Sequence, residues 1–242
     1  MNQIYVVGFG PGEMKYMTKQ ALDVIEASDV VIGYNVYVEI VKEMFPQKEY
    51  FSTPMTKERE RCTMAFELAS DGKIVAMVCS GDAGIYGMAG LMYEISDKYS
   101  DIEIVIVPGL SACISGASVL GAPLTHDFAV ISLSDRLTEW SLIEKRLEFS
   151  SMADFSIVLY NPSSKGRPEH LKKACEIILQ SKSEDTVCGI VRNIGREGQC
   201  EKVMTLKELK DTSVDMFTTV FIGNSQTKLI GNKMVTPRGY RE

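Results

Sequence analysis

Histidine and tryptophan are scarce in this chain of 242 residues, which contains two histidines and one tryptophan. His126 and His170 alone leave little scope for histidine metal ligands or for a histidine-activated nucleophile. No apolar run approaches the ~18 residues of a membrane-spanning helix. The first residues also lack the basic and apolar regions of a signal peptide. We therefore expect no metal site, no membrane partner and a cytoplasmic protein.

Closely spaced cysteine pairs and an excess of basic residues are also missing. The six cysteines stand twelve or more positions apart and several lie in apolar runs. This pattern predicts buried free thiols in a reducing compartment rather than a zinc site or disulfides. The 26 Lys and Arg against 32 Asp and Glu give a net charge of −6, which disfavours nucleic acid as a partner.

Short β-branched apolar runs, such as residues 4–8, 73–79 and 103–107, alternate with longer amphipathic stretches. Near-continuous apolar strands between helices indicate a parallel sheet covered on both faces, and therefore an α/β fold. Further helices are predicted over 137–149 and 165–180. Only a short helical pattern separates the last strands, which predicts some antiparallel pairing. A change of pattern near 121–126 predicts two α/β domains, residues 1–123 and 124–242.

Four predicted strands end in unusual sequences: GFGPG at 8–12, SGDAGIYG at 80–87, PGLSA at 108–112 and YNP at 160–162. Because ligands gather at the carboxyl ends of strands in open α/β sheets, these motifs predict a glycine-lined crevice. The third glycine of GFGPG comes one position too early for a dinucleotide motif, and no Gly-Lys-Ser/Thr phosphate loop is present. A pyrophosphate cradle is therefore disfavoured.

Two residues in these motifs each have two interpretations. Asp82 either accepts hydrogen bonds from hydroxyl or ammonium groups of a ligand, or caps the helix that follows. Ser111 is placed like the nucleophile of a G-x-S-x-G elbow, but Cys113 stands where the second glycine belongs. A helix N-cap is the stronger interpretation of Ser111, and a hydrolase is disfavoured.

Taken together, the four motifs and ASDVVIGY at 27–34 resemble the tetrapyrrole methylase family over nearly the whole chain. The resemblance implies two α/β domains with S-adenosylmethionine in a cleft between them, S-adenosylhomocysteine as product, and a homodimer. S-adenosylmethionine has no phosphate, in agreement with the loop sequences. Carried over by position, the implied cofactor-binding residues are Pro11, Gly81, Asp82, Ile85, Ser111, Ala112, Asn161, Gly189 and Thr219.

A finer resemblance lies in GAPLTHDF at 121–128, ISLSD at 131–135 and VRNIGREG at 191–198. These segments are similar to family members that methylate C17 of precorrin-3B or cobalt-precorrin-3, with ring contraction, in cobalamin biosynthesis. On this resemblance we expect His126 and Asp127 to act as an acid–base pair. The alternative to this catalytic role is that His126 is a structural histidine, with its hydrogen-bonding groups paired at a domain junction. The expected substrate contacts are Ser132, Ser134, Asp135, Arg192 and Asn193.

The implied substrate carries many carboxylates, so we expect a minority of the cations in loops and helix starts to bind it. Those cations are Lys57, Arg59, Arg61, Lys165, Arg167, Arg192 and Arg196. Other functions stay open. They are methylation at another corrin position, diphthine synthesis, and nucleotide sensing without catalysis. A nicotinamide dehydrogenase is disfavoured by the glycine spacing.

Overall fold

The computed structural model describes residues 2–240. The chain forms two compact units that divide between Ala112 and Cys113. Both units combine helices with β-sheets, so the predicted α/β class is confirmed. No helix in this part of the chain has both the length and the apolar character that crossing a bilayer requires.

The first unit alternates strand and helix from its start. Its elements are β1 (Asn2–Gly8), α1 (Lys19–Ala27), β2 (Val30–Tyr34), α2 (Asn35–Met44), β3 (Glu49–Thr53), α3 (Glu58–Ser70), β4 (Val75–Cys79), α4 (Ala89–Ser96) and β5 (Ile102–Val107). The five strands form one sheet in the order β3-β2-β4-β1-β5. Every pairing in that sheet is parallel, as the apolar runs predict.

Strand β1 is buried on both of its faces. Successive side chains of a strand point to opposite faces of the sheet. Accordingly Ile4 belongs to a buried cluster with Phe66 of α3. Val7 belongs to a second cluster with Ile25 of α1 and Val41 of α2. Because each fully buried apolar side chain contributes about 1.5–3 kcal/mol, these two layers hold β1 in the interior and orient its carboxyl end.

The second unit begins at Cys113, the second residue of the helix that follows β5. Its elements are α5 (Ala112–Leu120), β6 (Gly121–Ala122), β7 (Phe128–Ser132), α6 (Trp140–Met152), β8 (Ser156–Tyr160), α7 (His170–Ile178), β9 (Val187–Arg192), β10 (Cys200–Thr205), α8 (Leu206–Lys210), β11 (Thr218–Ile222), β12 (Lys228–Ile230) and β13 (Lys233–Val235). The main sheet has the order β10-β9-β11-β8-β7, and a small sheet has the order β12-β13-β6.

Pairing in the larger sheet of the second unit is mixed. Strand β7 runs parallel to β8, whereas β11 runs antiparallel to β8 and β9, and β10 runs antiparallel to β9. The antiparallel pairing predicted for the last strands is confirmed. It follows that β7, β8 and β9 point in the same direction, so their carboxyl ends share one edge of the sheet.

Two helices of the second unit begin later than predicted, at Trp140 for α6 and at His170 for α7. Leu137, where the first was expected to start, is 99% exposed and lies outside the apolar face. Before α7 the chain makes a turn in which Arg167 N–H donates to Ser164 O at 2.9 Å. The helix can begin only after that turn.

Helix α5 accounts for the difference between the predicted division at residues 123 and 124 and the division in the structure. A Cβ atom added to Gly116 of α5 would lie 2.7 Å from Phe221 Cζ, and one added to Gly189 would lie 2.6 Å from Leu120 Cδ1. The space that a side chain would need at either glycine is thus already filled, so α5 packs closely against the mixed sheet. The helix therefore packs with the second unit, although it precedes the change of sequence pattern.

Candidate functional site

Three loops of the first unit meet at the carboxyl edge of its sheet, because β1 lies between β4 and β5. Gly10 N–H donates to Gly81 O at 3.0 Å, and Gly81 N–H donates to Gly10 O at 2.8 Å. Gly10 and Gly81 have φ angles of +76° and +73°, in the left-handed region that favours glycine. The loops after β1 and β4 are thus joined backbone to backbone.

The loop after β5 packs equally closely on the other two. A Cβ atom at Gly109 would lie 2.2 Å from Gly81 O and 2.4 Å from Gly8 O. A Cβ atom at Gly8 would lie 2.7 Å from the same Gly81 oxygen. The missing side chains therefore let three backbone segments approach one another more closely than any other residue type would allow.

Asp82 fastens two of these loops through its carboxylate. Its Oδ1 accepts hydrogen bonds from the N–H groups of Gly84 and Ile85 at 2.8 and 3.0 Å. Its Oδ2 accepts from Gly109 N–H at 3.0 Å. The interpretation of Asp82 as a cap of the following helix is wrong, because α4 begins only at Ala89. The carboxylate instead shapes the loop edge and places a negative charge there.

Four other residues predicted to bind the cofactor lie in or beside these loops. Pro11 is buried directly after Gly10, whereas Ile85 is 40% exposed in the loop after β4. Ser111 is buried and immediately precedes α5, the position of an N-cap. A Cβ atom at Gly81 would lie 3.6 Å from both Ser111 Cα and Ala112 N. The structure therefore brings the first-unit part of the predicted cofactor set together.

In the second unit, a polar group stands where β7 and β8 end. Asn161 Nδ2 donates to Ser132 Oγ at 2.9 Å, and Ser134 N–H donates to the same oxygen at 3.2 Å. Asn161 has a φ angle of +53°, which asparagine tolerates better than most residues. A predicted cofactor residue and two predicted substrate residues thus form one hydrogen-bonded group.

Asp135 lies beside this group and pairs with His170. Their Oδ2 and Nε2 atoms are 3.1 Å apart, and Arg167 Nη1 lies 3.8 Å from Asp135 Oδ1. The Trp140 ring meets the His170 ring edge-on, with centroids 4.6 Å apart. Burial acts to raise the pKa of Asp135, but hydrogen bonds from His170 and its own backbone, and the charges of His170 and Arg167, lower it overall.

Sequence reasoning did not assign a role to His170. The residue is separated from Asp135 by 35 positions, and the parallel pairing of β7 with β8 is what brings their following loops together. The sequence nevertheless contains a signal, because His170 is one of only two histidines in the chain. Asp135, Arg167 and His170 therefore form one cluster of ionisable side chains on the same edge as Ser132.

The predicted pair His126 and Asp127 lies at the opposite end of β7. Asp127 O accepts from Ser156 N–H at 3.2 Å, at the amino end of β8. Both side chains are at least half exposed, and His126 Nδ1 accepts from Asp127 N–H at 3.0 Å. With a rise of about 3.3 Å per residue, five-residue β7 separates them from the Ser132 group by roughly 15 Å. The structure does not bring these two sets of predicted residues together.

The remaining predicted residues belong to β9, β11 and the loop after β9. Arg192 Nε donates to Asp215 Oδ2 at 2.7 Å, and Asn193 Nδ2 donates to Glu197 O at 3.4 Å. Both lie at the carboxyl end of β9, on the edge that also holds Ser132. Gly189 and Thr219 are buried within the sheet, and Gly189 faces Leu120 of α5. Close packing explains the absence of a side chain at Gly189.

Comparison with known proteins identifies the family. Residues 3–210 match the family described as Tetrapyrrole (Corrin/Porphyrin) Methylases. A Salmonella typhimurium protein named "Probable cobalt-factor III C(17)-methyltransferase" is 45% identical over 236 residues, covering 97% of this chain and 98% of that protein. A precorrin-3B C(17)-methyltransferase from Sinorhizobium sp is 35% identical over 246 residues, covering 98% and 96%. The crystal structure of the methyltransferase CobJ superposes with a TM-score of 0.90 at 31% identity, covering 98% of this chain and all of that one. The resemblance drawn from the motifs is confirmed, and the chain belongs to the tetrapyrrole methylase family.

Proposed function

We propose that this chain is an S-adenosylmethionine-dependent methyltransferase acting at C17 of precorrin-3B or of its cobalt-containing counterpart, with ring contraction, in cobalamin biosynthesis. The observation that carries the proposal is the full-length likeness to two relatives whose names specify C17 methylation. One of those names specifies a cobalt-containing factor and the other specifies precorrin-3B. The proposal therefore covers both macrocycles, and cobalt is part of the substrate in one of them.

The loop cluster of the first unit has the chemistry that S-adenosylmethionine requires. Residues 8–12, 80–87 and 108–112 contain no lysine or arginine, the side chains that most often pair with a phosphate group. Asp82 supplies a negative charge that favours a sulfonium ligand. We propose that Pro11, Gly81, Asp82, Ile85, Ser111 and Ala112 contact the cofactor in this unit, and that Asn161, Gly189 and Thr219 do so in the second. When bound, S-adenosylmethionine supplies its methyl group as the electrophile.

The chain itself then has mainly to position the macrocycle, because a nucleophilic ring carbon needs no strong base before methyl transfer. We propose that Ser132, Ser134, Asp135, Arg192 and Asn193 contact the macrocycle. Asn161 supports this by holding Ser132 Oγ through a hydrogen bond of 2.9 Å. Arg192 is already paired with Asp215, so it binds a substrate carboxylate only by exchanging or sharing that partner.

Ring contraction also requires a proton to be moved, and the two histidines offer two proposals. The His126–Asp127 pair is the one that the family resemblance implies. The Asp135–His170 pair has the better geometry, because it lies on the edge that carries the other predicted substrate residues. His170 is also more protected from water, with 13% of its side chain exposed against 50% for His126. We favour His170 as the general acid or base.

Methyl transfer tests the proposed function directly. The protein is incubated with methyl-labelled S-adenosylmethionine and either precorrin-3B or cobalt-precorrin-3, and the product mass is measured. We expect one methyl group to enter one of the two macrocycles, with S-adenosylhomocysteine as an inhibitor. Label in neither macrocycle contradicts the proposal, and a mass gain without ring contraction removes that part of it.

Two binding measurements separate the remaining alternatives. Calorimetric titration with S-adenosylhomocysteine and with NAD is expected to show binding of the first alone, and the reverse result would indicate a dehydrogenase. Tight binding of S-adenosylhomocysteine without turnover of any macrocycle would indicate a sensing protein. We further propose a cytoplasmic homodimer, for which light scattering is expected to give twice the mass of one chain.

A further inference from the structure

The first unit contains a cavity of about 190 Å³, whose lining includes Ser80, the residue before Gly81. The carboxyl ends of β2 and β4 form part of its wall. The rest comes from α2, from α3 and the loop before it, and from the loop after β4. Its polar lining consists of Tyr34, Tyr37, Glu58, Arg61, Ser80 and Tyr86. The cavity combines one buried cation with several groups that can hydrogen-bond a small polar ligand.

Arg61 is the unusual member of this lining. The residue is 4% exposed, although it belongs to a highly charged stretch of α3. Taking a guanidinium out of water costs several kcal/mol unless an opposite charge compensates it. Its nitrogens bond only neutral acceptors, and no carboxylate among residues 2–240 forms an ion pair with it.

The hydrogen bonds of Arg61 give oxygen acceptors to Nε and Nη2 but only a weak sulfur acceptor to Nη1. Nε donates to Thr53 Oγ1 at 3.0 Å, and Nη2 donates to the carbonyl oxygens of Thr53 and Pro54 at 3.4 and 3.2 Å. The acceptor of Nη1 is the sulfur of Met88 at 3.7 Å. A thioether is a weak acceptor, so Nη1 gains most from a charged oxygen placed in the cavity.

Glu58 is the acid on the cavity wall, and it is held by other contacts. Its Oε1 accepts from Thr56 N–H at 3.1 Å, which shapes the turn before α3. The backbone of that turn is unusual, because Thr56 has a φ angle of +71°. Glu58 therefore shapes the start of α3 and forms no salt bridge with Arg61 in the described part of the chain.

We propose that this cavity binds a carboxylate group, with Arg61 as its cationic anchor. A guanidinium presents N–H donors in a planar fork that matches a carboxylate, and burial strengthens the pair. The inference rests on the proposed function only for the source of that group. The source is either an acetate or propionate arm of the macrocycle or the α-carboxylate of S-adenosylmethionine.

The binding chemistry can be tested without any turnover. Sodium propionate and propionamide are each titrated into the full chain at constant ionic strength, and the Arg61 Nε–H signal is followed by NMR. The signal is assigned from its loss in Arg61→Lys. We expect a saturable shift with propionate and none with propionamide. Equal shifts with both compounds, or no shift with either, would overturn the proposal.

Kinetics then distinguish the two sources of the carboxylate. Arg61→Lys keeps the charge but loses the fork, and Arg146→Lys on the exposed face of α6 is its matched control. An approximately tenfold rise in the KM for the macrocycle, with the Kd for S-adenosylhomocysteine unchanged, assigns the carboxylate to the substrate. The same rise in the Kd for S-adenosylhomocysteine assigns it to the cofactor. If neither constant changes in a folded variant, the proposal fails.

Two other outcomes remain interpretable. Circular dichroism shows whether Arg61→Lys is folded. If it is unfolded, the titration of the parent protein with propionate and propionamide still tests whether the cavity binds a carboxylate. The Arg61 Nε–H signal is then assigned through backbone connectivity. If neither macrocycle is methylated, the proposed function fails, while the propionate titration still decides whether the cavity binds a carboxylate.

Discussion

The two histidines of the second unit differ in how well their surroundings suit proton transfer. His126 and His170 are chemically equivalent in the sequence, but their surroundings differ. His170 contacts a carboxylate and an indole ring in a mostly buried position, whereas His126 contacts its own neighbour at the surface. General acid–base groups work best when a partner fixes their orientation. The environment, rather than the residue type, therefore favours His170.

Replacement of the two histidines tests this preference. We expect His170→Ala to lower kcat for the proposed ring contraction by about 100-fold or more and to change the shape of its pH profile. His126→Ala serves as the matched control and is expected to leave kcat and the profile close to those of the parent. A large loss in His126→Ala together with an active His170→Ala would favour the pair implied by the family resemblance.

Asp154 provides a test of stability at the same scale. It accepts hydrogen bonds from Ser225 N–H at 2.9 Å and from Ser225 Oγ at 2.6 Å, and pairs with the buried Lys182 at 3.3 Å. Burial acts to raise the pKa of Asp154, but the Ser225 hydrogen bonds and Lys182 outweigh it and hold the pKa below that of an ordinary aspartate carboxyl. A carboxyl whose pKa is lowered by folding stabilises at neutral pH and loses that effect as the pH falls through its folded pKa.

We therefore expect Asp154→Asn to lower the free energy of unfolding by about 2 kcal/mol at neutral pH. The difference from the parent should shrink as the pH falls below the ordinary carboxyl range. Asparagine tolerates the φ angle of +57° at this position, so backbone strain is not introduced. Urea unfolding at a series of pH values measures the difference, with the exposed Asp185→Asn as control. A difference that does not depend on pH would contradict the assignment.

At the scale of elements, the loop cluster depends on the order of the strands. Strand β1 pairs with β4 on one side and β5 on the other, in registers that end at Gly8, Cys79 and Val107. The three loops that follow therefore start at the same height along the strand direction, at one edge of the sheet. Their contacts are backbone to backbone, so the cluster is rigid without large side chains.

Gly109→Ala tests this close approach. The new methyl group would meet backbone oxygens of Gly81 and Gly8 within 2.4 Å, and neither atom can move without shifting a strand end. We expect a loss of about 3 kcal/mol in the free energy of unfolding and weaker binding of S-adenosylhomocysteine.

Gly90→Ala in α4 is the matched control for that substitution. A Cβ atom there has nothing within 4 Å, so alanine is expected to stabilise the helix by up to about 1 kcal/mol. Thermal or urea unfolding of both variants makes the comparison. Equal effects of the two substitutions would show that the loop cluster can open to accommodate a side chain.

At the scale of the whole molecule, the burial of the cysteine thiols is a measure of how tightly each unit is packed. All six are free thiols, and five of them are buried, as predicted for several of them from the apolar runs. Burial raises the pKa of Cys62 and Cys175 to about 12 and that of Cys79 to about 11. The thiolate is the reactive form, so these thiols are unreactive while the protein is folded.

We expect one thiol to react rapidly with a water-soluble disulfide reagent at pH 8 in the native protein, and all six to react in guanidinium chloride. Cys200 is the exposed thiol, so Cys200→Ser is expected to remove the rapid phase. Several rapidly reacting thiols in the native protein would show that the packing of at least one unit is looser than the structure indicates.

The sequence predicted those features of the fold and of the site that depend on residues close together along the chain. Apolar runs between amphipathic stretches predicted the parallel sheet, because a strand buried on both faces needs apolar residues on both. The glycine motifs predicted the crevice at the carboxyl edge, because each loop directly follows its own strand. Gly10, Gly81 and Gly109 meet as that argument requires.

The tertiary structure alone decided the contacts that join distant segments. His170 reaches Asp135 because β7 and β8 lie side by side, and α5 joins the second unit because Gly116 fits against Phe221. Arg61 is buried in spite of the charged residues around it, since its helix turns that position toward the first sheet. Sequence patterns record which residues are apolar or polar, whereas pairing, burial and charge compensation depend on which surfaces the folded chain brings into contact.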